Sequence, residues 1–175
     1  PETGREIRFG TIGRATTSRR IVVVGGGPAG MKASITAARH GHQVTLLEKA
    51  GRLGGQVLLA ERLPGRAEFG GVATNLLAEM EPLGIEVRTR TNADRELVLG
   101  LHPEAVVVAT GALPRRIELE ITDQAHCVNA WAVIGGAELP RGRIVVADWR
   151  CDWVGLGTAL LLAQRGRKIT LAVSG

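Results

Sequence analysis

Short runs of β-branched and other apolar residues recur along the chain, and segments with helical periodicity lie between them. Such continuous runs are typical of buried strands in a parallel sheet. In the first part of the chain they occupy residues 21–24, 44–47, 85–88 and 105–109. Helical segments are predicted at 28–40, 68–83 and 94–99. This alternation predicts an α/β fold with a parallel sheet, and it places 21–24 and 105–109 in the buried interior.

The first two predicted helices have faces suited to packing. Ala29, Ala33 and Ala37 recur at four-residue spacing, and a stripe of small residues lets a helix approach a sheet closely. The second helix carries a stripe of larger apolar residues: Val72, Leu76, Leu77, Met80 and Leu83. Gly41 and Gly84 follow these two segments and are typical helix-terminating residues.

The strand–helix–strand pattern of the first residues occurs again near the other end of the chain. Ile21 aligns with Ile144 and Gly41 with Gly166, so the second copy contains two inserted residues. An internal repeat of this kind indicates two related βαβ units. We therefore expect a linker at 1–18, the first segment of a Rossmann-like domain at 19–125, and a partial second domain at 126–175. Two parallel strands form little core, so further chain is expected to complete the second domain.

Composition narrows the classes of function. The 175 residues include 22 basic and 17 acidic ones, but only three Trp, two Phe and no Tyr, so no nucleic-acid interface is predicted. No apolar run approaches the roughly 18 residues of a membrane span. The first residues lack an initiator Met and the apolar core of a signal sequence, so we expect a cytoplasmic protein cut from a longer chain.

Candidate reactive side chains are sparse. Cys127 and Cys151 form no CxxC, and two thiolates cannot hold an iron–sulfur cluster, so both are expected to be structural residues in a reducing compartment. His40 and His42 flank Gly41, where a solvated turn is a simpler interpretation than a metal site. No set of nucleophile, histidine and acid is found. We therefore predict neither a catalytic residue nor a metal ligand in this chain.

The strongest chemical motif is Gly25-x-Gly27-x-x-Gly30, which lies between a predicted strand and a predicted helix. Gly25 permits a tight turn, Gly27 leaves room for a pyrophosphate, and Gly30 allows close packing of helix on strand. The free N–H groups and dipole of the helix favour a phosphate. Glu48, after the next strand, can accept both ribose hydroxyls of an adenosine and would repel a 2′-phosphate. The motif therefore predicts FAD, NAD or ADP.

Two further stretches extend this site. The double glycine of KAGRLGGQ (49–56) lets backbone pass close to a long cofactor, and the strand ending in ATG (109–111) closes the sheet edge nearby. The predicted cofactor-binding residues are Gly25, Gly27, Pro28, Ala29, Gly30, Glu48, Lys49, Arg52, Gly54, Gly55, Gln56, Ala109, Thr110 and Gly111.

These motifs carry a specific resemblance. GGGPAG, the following acid, GRLGGQ and ATGALP resemble the glutathione-reductase-type flavoproteins with two dinucleotide-binding domains. TGRE, PGRAEFGG and GLGTALLLA are similar to one branch, the C-terminal part of the trimethylamine dehydrogenase and 2,4-dienoyl-CoA reductase family. The resemblance extends over nearly all of residues 3–175.

The resemblance implies a larger, homo-oligomeric oxidoreductase. An FMN-carrying barrel and a [4Fe–4S] cluster are expected upstream, and those parts would be the partners of this chain. In the reductase branch the site would hold FAD, which relays electrons from NADPH. In the amine dehydrogenase branch it would hold a structural ADP, and electrons would pass from the cluster to an electron-transfer flavoprotein. The isolated chain is not expected to be active.

The second copy departs from the fingerprint. The equivalents of Gly25, Gly27 and Glu48 are Asp148, either Arg150 or Asp152, and Val173. Only the helix-packing glycine is kept, as Gly155. Carboxylates repel phosphate, so these losses argue against NAD(P)H binding and favour the amine dehydrogenase branch. Trp149 and Trp153 are expected to fill a core or an interface, with stacking on a cofactor as the alternative.

Three hypotheses of function remain open from the sequence. The first is a nucleotide-binding module that serves electron transfer in a flavin and iron–sulfur enzyme acting on amines or enoyl-type substrates. The second is a non-catalytic domain that holds ADP for assembly. The third is a structural interaction domain in which both nucleotide sites are vestigial.

Overall fold

The computed structural model describes residues 13–115 and 125–173, so most of the predicted linker lies outside it. The strands are β1 (Arg20–Val24), β2 (Gln43–Leu47), β3 (Glu86–Arg88), β4 (Ala105–Val108), β5 (Ile144–Asp148) and β6 (Ile169–Val173). The helices are α1 (Pro28–Arg39), α2 (Val57–Ala60), α3 (Gly70–Met80), α4 (Arg95–Gly100), α5 (Ala130–Gly135) and α6 (Trp153–Gln164).

The described residues form two compact units. The first unit contains residues 13–58 and 70–111, and the second contains residues 59–69, 112–115 and 125–173. The chain therefore leaves the first unit at α2, returns to it at α3, and leaves it again after β4.

Four parallel strands make up the sheet of the first unit, in the order β3-β2-β1-β4. Ile21 lies opposite Val44 on one side and Ala105 on the other, so β1 is a central strand. This arrangement confirms the predicted α/β fold with a parallel sheet. It also brings the carboxyl ends of β1, β2 and β4 to one edge, where ligands of such sheets bind.

The predicted alanine stripe accounts for only part of the packing of helix α1, since Ala37 is partly buried against the core. Met31 and Ile35 are fully buried in one core with Val23 and Leu46, whereas Ala29 is exposed. Burying apolar area stabilises a fold by about 25 cal/mol per Å². The longer side chains therefore determine which side of the helix faces the strands.

Strand β4 is exposed, which corrects the prediction of a buried strand at 105–109. Val106 and Val108 are 44% and 73% exposed. The reason is topological, because β4 is the edge strand of the sheet and pairs with β1 alone among the described strands. A run of valines does not distinguish a strand at the edge from one in the centre.

The helix predicted at 68–83 is shorter than expected. Its α-helical part is α3, and 3₁₀ turns at Ala67–Phe69 and Glu81–Leu83 flank it. Pro82 lies in the second turn and has no N–H to continue the α-helical hydrogen bonds. The apolar stripe is only partly buried, since Met80 is enclosed while Val72 and Leu77 are exposed.

The second unit contains the predicted repeat. β5 and β6 are parallel, Ile144 lies opposite Ile169, and α6 connects the two strands. Leu63, Ile134 and Leu161 form its core, so the excursion at 59–69 contributes directly to this unit.

One expectation about side chains in the second unit is wrong, and of a second only the core alternative is excluded, so that the interface alternative stays a prediction. Cys127 and Cys151 are both exposed, so neither is a buried structural residue. Trp149 and Trp153 are 48% and 41% exposed, so neither fills a core. One ring face of Trp153 is nevertheless occupied, because it stacks on Phe69 with ring centroids 6.3 Å apart.

Candidate functional site

The candidate site lies where three strands of the first unit end. The N–H of Gly25, directly after β1, donates to the carbonyl of Leu47 at 2.8 Å. The N–H of Ala109, directly after β4, donates to the carbonyl of Val24 at 2.8 Å. These bonds join the glycine turn to the residues before Glu48 and to the ATG segment, as the sequence predicted.

Two glycines of the motif are required by the fold itself. Gly25 has a φ of +108°, and a Cβ there would collide with the carbonyl oxygen of Ala109. A Cβ on Gly30 would collide with the carbonyl oxygen of Gly25 and press against the Ala109 side chain. These two positions therefore permit the turn and the close packing that the sequence assigned to them.

Gly27 is different because the fold does not need it. Its φ of −75° suits any residue, and the nearest atom to an added Cβ is the Cα of Gly55, 3.9 Å away. Gly27 is also the N-cap of α1, with no side chain to accept the first N–H groups, and Pro28 follows. The absence of a side chain thus leaves the positive end of the helix open to an anion.

Glu48 is held in one orientation by backbone donors. Its side chain is buried, Oε2 accepts the N–H of Gly26 at 2.6 Å, and Oε1 accepts the N–H of Ala50 at 2.7 Å. Each carboxylate oxygen has a further lone pair, so hydroxyl donors can still be accepted. The carboxylate is therefore positioned next to the glycine turn for a diol such as ribose.

Gly26 is a site residue that sequence reasoning did not include. A Cβ there would run into the side chain of Leu53 and come within 3.0 Å of Glu48 Oε2. Its carbonyl also accepts the N–H of Gly54 at 2.8 Å. Its position as the middle glycine of the GGG run was the available signal.

The double glycine comes against the turn. A Cβ on Gly55 would lie 2.8 Å from the Cα of Gly27, so the two backbones face each other without side chains between them. Gly54 and Gly55 have φ values of +126° and +55°, which glycine adopts most easily. The backbone of the double glycine therefore lies close to the glycine turn, and its approach to a cofactor stays a prediction.

The remaining predicted residues lie around this centre. Ala29 is the second residue of α1, and Lys49 and Arg52 are exposed on the loop after Glu48. Gln56 lies beside Gly111, because a Cβ on that glycine would be 3.1 Å from Gln56 Nε2. Thr110 is exposed between the ATG neighbours.

Arg90 is a second residue that the sequence did not indicate. It has a φ of +52°, and its N–H donates to the carbonyl of Ala50 at 2.9 Å. Its guanidinium Nε lies 3.5 Å from where a Cβ on Gly51 would stand. The side chain therefore lies along the loop that follows Glu48, and only a tertiary contact reveals this.

The corresponding loop of the second unit, residues 148–153, contains no glycine. Asp148 Oδ1 accepts the N–H groups of Arg150 and Cys151, and Asp152 caps α6 by accepting the N–H of Val154. A Cβ on Gly155 would collide with the Asp148 carboxylate.

Residues 13–115 and 125–173 contain neither a metal-binding cluster nor a membrane-spanning helix. Those residues contain no group of three or more His, Cys, Asp or Glu side chains that could hold a metal ion. In the same part of the chain, no helix has the length and hydropathy to cross a membrane.

With this geometry established, the class of protein is defined. Residues 19–146 match the model of the pyridine nucleotide-disulphide oxidoreductase family, and the chain belongs to that family. In folds of this kind the strand order places the ligand site at the carboxyl ends of the strands, and the glycine turn and the acid after the second strand contact a dinucleotide.

The chain is also similar to individual oxidoreductases within and around this family. The chain is 40% identical to an NADH oxidase of Thermoanaerobacter brockii, over 98% of this chain and 27% of the relative. It is 35% identical to an N,N-dimethylglycine/sarcosine dehydrogenase of Chromohalobacter salexigens, over 87% of this chain and 23% of the relative. The structure of a 2-naphthoyl-CoA reductase superimposes with a TM-score of 0.88 at 28% identity, over 98% of this chain and 26% of that one. The chain thus spans about a quarter of the length of these oxidoreductases.

Proposed function

We propose that the first unit binds the adenosine diphosphate moiety of FAD, or ADP itself, as the nucleotide-binding module of a flavin-dependent oxidoreductase. The observation that carries this proposal is the close approach of Gly27 and Gly55, neither of which has a side chain to cover the N-terminus of α1, beside the buried carboxylate of Glu48. The residues present fit the ligand, because one side of this centre suits a diphosphate and the other suits a ribose.

Each part of the nucleotide has a matching group. The diphosphate would bind at the uncapped N-terminus of α1, where free N–H groups and the helix dipole favour negative charge. The ribose hydroxyls would donate to Glu48, whose orientation is set by Gly26 and Ala50. A 2′-phosphate would meet that buried carboxylate and be repelled, so we expect ADP to bind more tightly than 2′-phosphorylated analogues.

The flavin, if present, would supply the redox chemistry, and the chain would hold and orient it. The exposed segment at Gln56 and Gly111 extends the site beyond the nucleotide half, as a long cofactor requires. We assign no proton transfer to any residue described.

At the level of the whole protein, we propose an amine-dehydrogenating or demethylating enzyme, or an enoyl-type reductase. The support is similarity to relatives named for both kinds of chemistry, among them the dehydrogenase and the reductase described above. An FMN barrel and an iron–sulfur segment of the same enzyme, an electron-transfer flavoprotein acceptor, a homo-oligomeric assembly and a cytoplasmic location belong to this proposal as well.

Release of the bound nucleotide tests the proposal. Purified protein would be denatured, and the supernatant would be separated by chromatography and identified by its absorption spectrum. We expect FAD or ADP, and protein stripped of ligand should bind ADP again with one site per chain. Release of neither, together with no binding of ADP or FAD on titration, would contradict the proposal.

A second candidate function is a non-catalytic module that holds ADP for assembly. It is favoured by the loop at 148–153, which in this chain offers no second open phosphate site. A colourless protein that contains ADP would support this candidate, whereas a yellow protein with flavin absorption would exclude it.

A further inference from the structure

The loop between β5 and α6 carries a carboxylate at the position where the first unit has Gly25. Asp148 is the last residue of β5, and its Oδ1 accepts the N–H of Arg150 at 2.9 Å and of Cys151 at 3.1 Å. Successive backbone N–H groups that converge on one oxygen form the kind of concavity that holds a phosphate. Here the oxygen belongs to the protein.

The N-terminus of α6 is closed in the same way. Asp152 is its N-cap, and Oδ1 accepts the N–H of Val154 at 2.9 Å, while Oδ2 pairs with Arg150 Nε at 2.9 Å. The N-cap of α1, by contrast, is Gly27, which has no side chain to cap the helix. A carboxylate therefore already meets the helix dipole that attracts a diphosphate in the first unit.

Gly155, which corresponds to Gly30 in the internal repeat, has a different neighbour from Gly30. In the first unit the Cβ of a residue at Gly30 would meet the carbonyl of Gly25, whereas at Gly155 it would meet the carboxylate of Asp148. The space over the first turn of α6 is thus occupied by a negatively charged side chain. A diphosphate would have to displace Asp148 and overcome the repulsion of two carboxylates, one of which pairs with Arg150.

The aromatic residue at the start of α6 is engaged as well. The ring of Trp153 stacks on Phe69 at an interplanar angle of 16°, and the guanidinium of Arg66 lies 4.6 Å from its centroid. These contacts tie the excursion at 59–69 to the start of α6 within the second unit. One face of the ring is therefore used for packing and not for stacking on a nucleotide base.

We infer that the second βαβ unit does not bind a pyridine nucleotide, because Asp148 and Asp152 take the places of the phosphates in its own loop. This disagrees with the binding of a pyridine nucleotide that the family's description implies. Any reaction of the whole protein with NADH or NADPH would then take place away from residues 148–153.

Tryptophan fluorescence tests this inference, since the reduced nicotinamide ring absorbs where tryptophan emits. Trp149 and Trp153 both lie in the loop at 148–153, so a reduced nicotinamide nucleotide bound there would quench their emission by energy transfer. The full chain would be titrated with NADH and with NADPH up to millimolar concentration. A Gly27→Ser variant would be titrated in parallel, because NADH also contains the adenosine diphosphate moiety proposed for the first unit.

We expect any quenching by NADH in the wild type to require roughly 100-fold more nucleotide in Gly27→Ser, because only the first unit binds the nucleotide and this substitution weakens it. Saturable quenching with the same midpoint in Gly27→Ser and in the wild type would overturn the inference while leaving the proposal for the first unit intact. The variant Asp152→Ala supplies a readout that does not depend on binding. It should lower the urea midpoint of unfolding, because the N-terminus of α6 loses its cap, and an unchanged midpoint would contradict the structural role assigned to this carboxylate.

Discussion

Replacing Gly27 by alanine separates ligand binding from folding more cleanly than any other change in the glycine motif. The φ of −75° is compatible with alanine, and the nearest atom to the new Cβ, the Gly55 Cα, is in ordinary van der Waals contact at 3.9 Å. The same change at Gly25 or Gly30 would drive the Cβ into a backbone carbonyl. Only at Gly27 does a methyl group enter space that a ligand needs and the protein does not.

The expected magnitudes differ widely. An unstrained Gly→Ala change stabilises a protein by roughly 0.4–1 kcal/mol through the unfolded state, and alanine is a poorer N-cap than glycine by a similar amount. The net change in the free energy of unfolding should stay within about 1 kcal/mol, and Tm should move by less than about 4 °C. A diphosphate that loses two charge-assisted hydrogen bonds would lose about 3–6 kcal/mol, which weakens binding by roughly 100-fold or more.

Calorimetric titration with ADP and thermal unfolding of the same samples measure both quantities. The matched control is Gly71→Ala in α3, where an added Cβ meets no atom within 4 Å. The control should bind ADP like the wild type and be slightly more stable, because alanine has the higher helix propensity. A folded Gly27→Ala protein that binds ADP with unchanged affinity would refute the reasoning.

Three further predictions concern stability. Glu48→Gln should lower the free energy of unfolding by about 1–3 kcal/mol, since an amide cannot accept from both Gly26 and Ala50; unchanged chemical denaturation would count against this. Leu63→Ala should lower the free energy of unfolding by about 2–5 kcal/mol, because this side chain is buried. Leu77→Ala should lower it far less, because Leu77 is exposed, and equal losses in the two variants would contradict the core described. The hydrogen bond from Lys32 lowers the pKa of the Glu79 carboxyl. The stability that this pairing gives the fold is therefore present above the ordinary carboxyl pKa and is lost as the pH falls through the lowered pKa. Glu79→Gln should therefore flatten the acid side of the stability–pH profile, and an identical profile would refute the pairing.

Local sequence signals predicted the glycine turn and its acid well. Gly25, Gly30 and Glu48 are recognisable because a turn, a helix start and a strand end follow one another along the chain. Their contacts form between neighbours in a βαβ unit, where the order of elements almost determines the geometry. The repeat at 143–173 was predictable for the same reason.

Features that depend on tertiary contacts were missed or wrong. The exposure of Val108 follows from the edge position of β4, and periodicity carries no information on strand order. Arg90 has a positive φ, and its side chain lies along the loop after Glu48, which no local sequence pattern indicates. The segment at 59–69 belongs to the second unit, and this also has no local signature in the sequence. Gly26 lay within the motif, but its hydrogen bond to Glu48 joins residues 22 positions apart.

The most direct test of the account is a crystal structure of the chain with ADP at saturating concentration. We predict diphosphate density at the N-terminus of α1 alongside Gly27 and Gly55, with the ribose hydroxyls within hydrogen-bond distance of Glu48. The loop at 148–153 should keep Asp148 and Asp152 in their present contacts and hold no nucleotide. Diphosphate density in that loop, or an empty glycine turn in the presence of saturating ADP, would contradict the account.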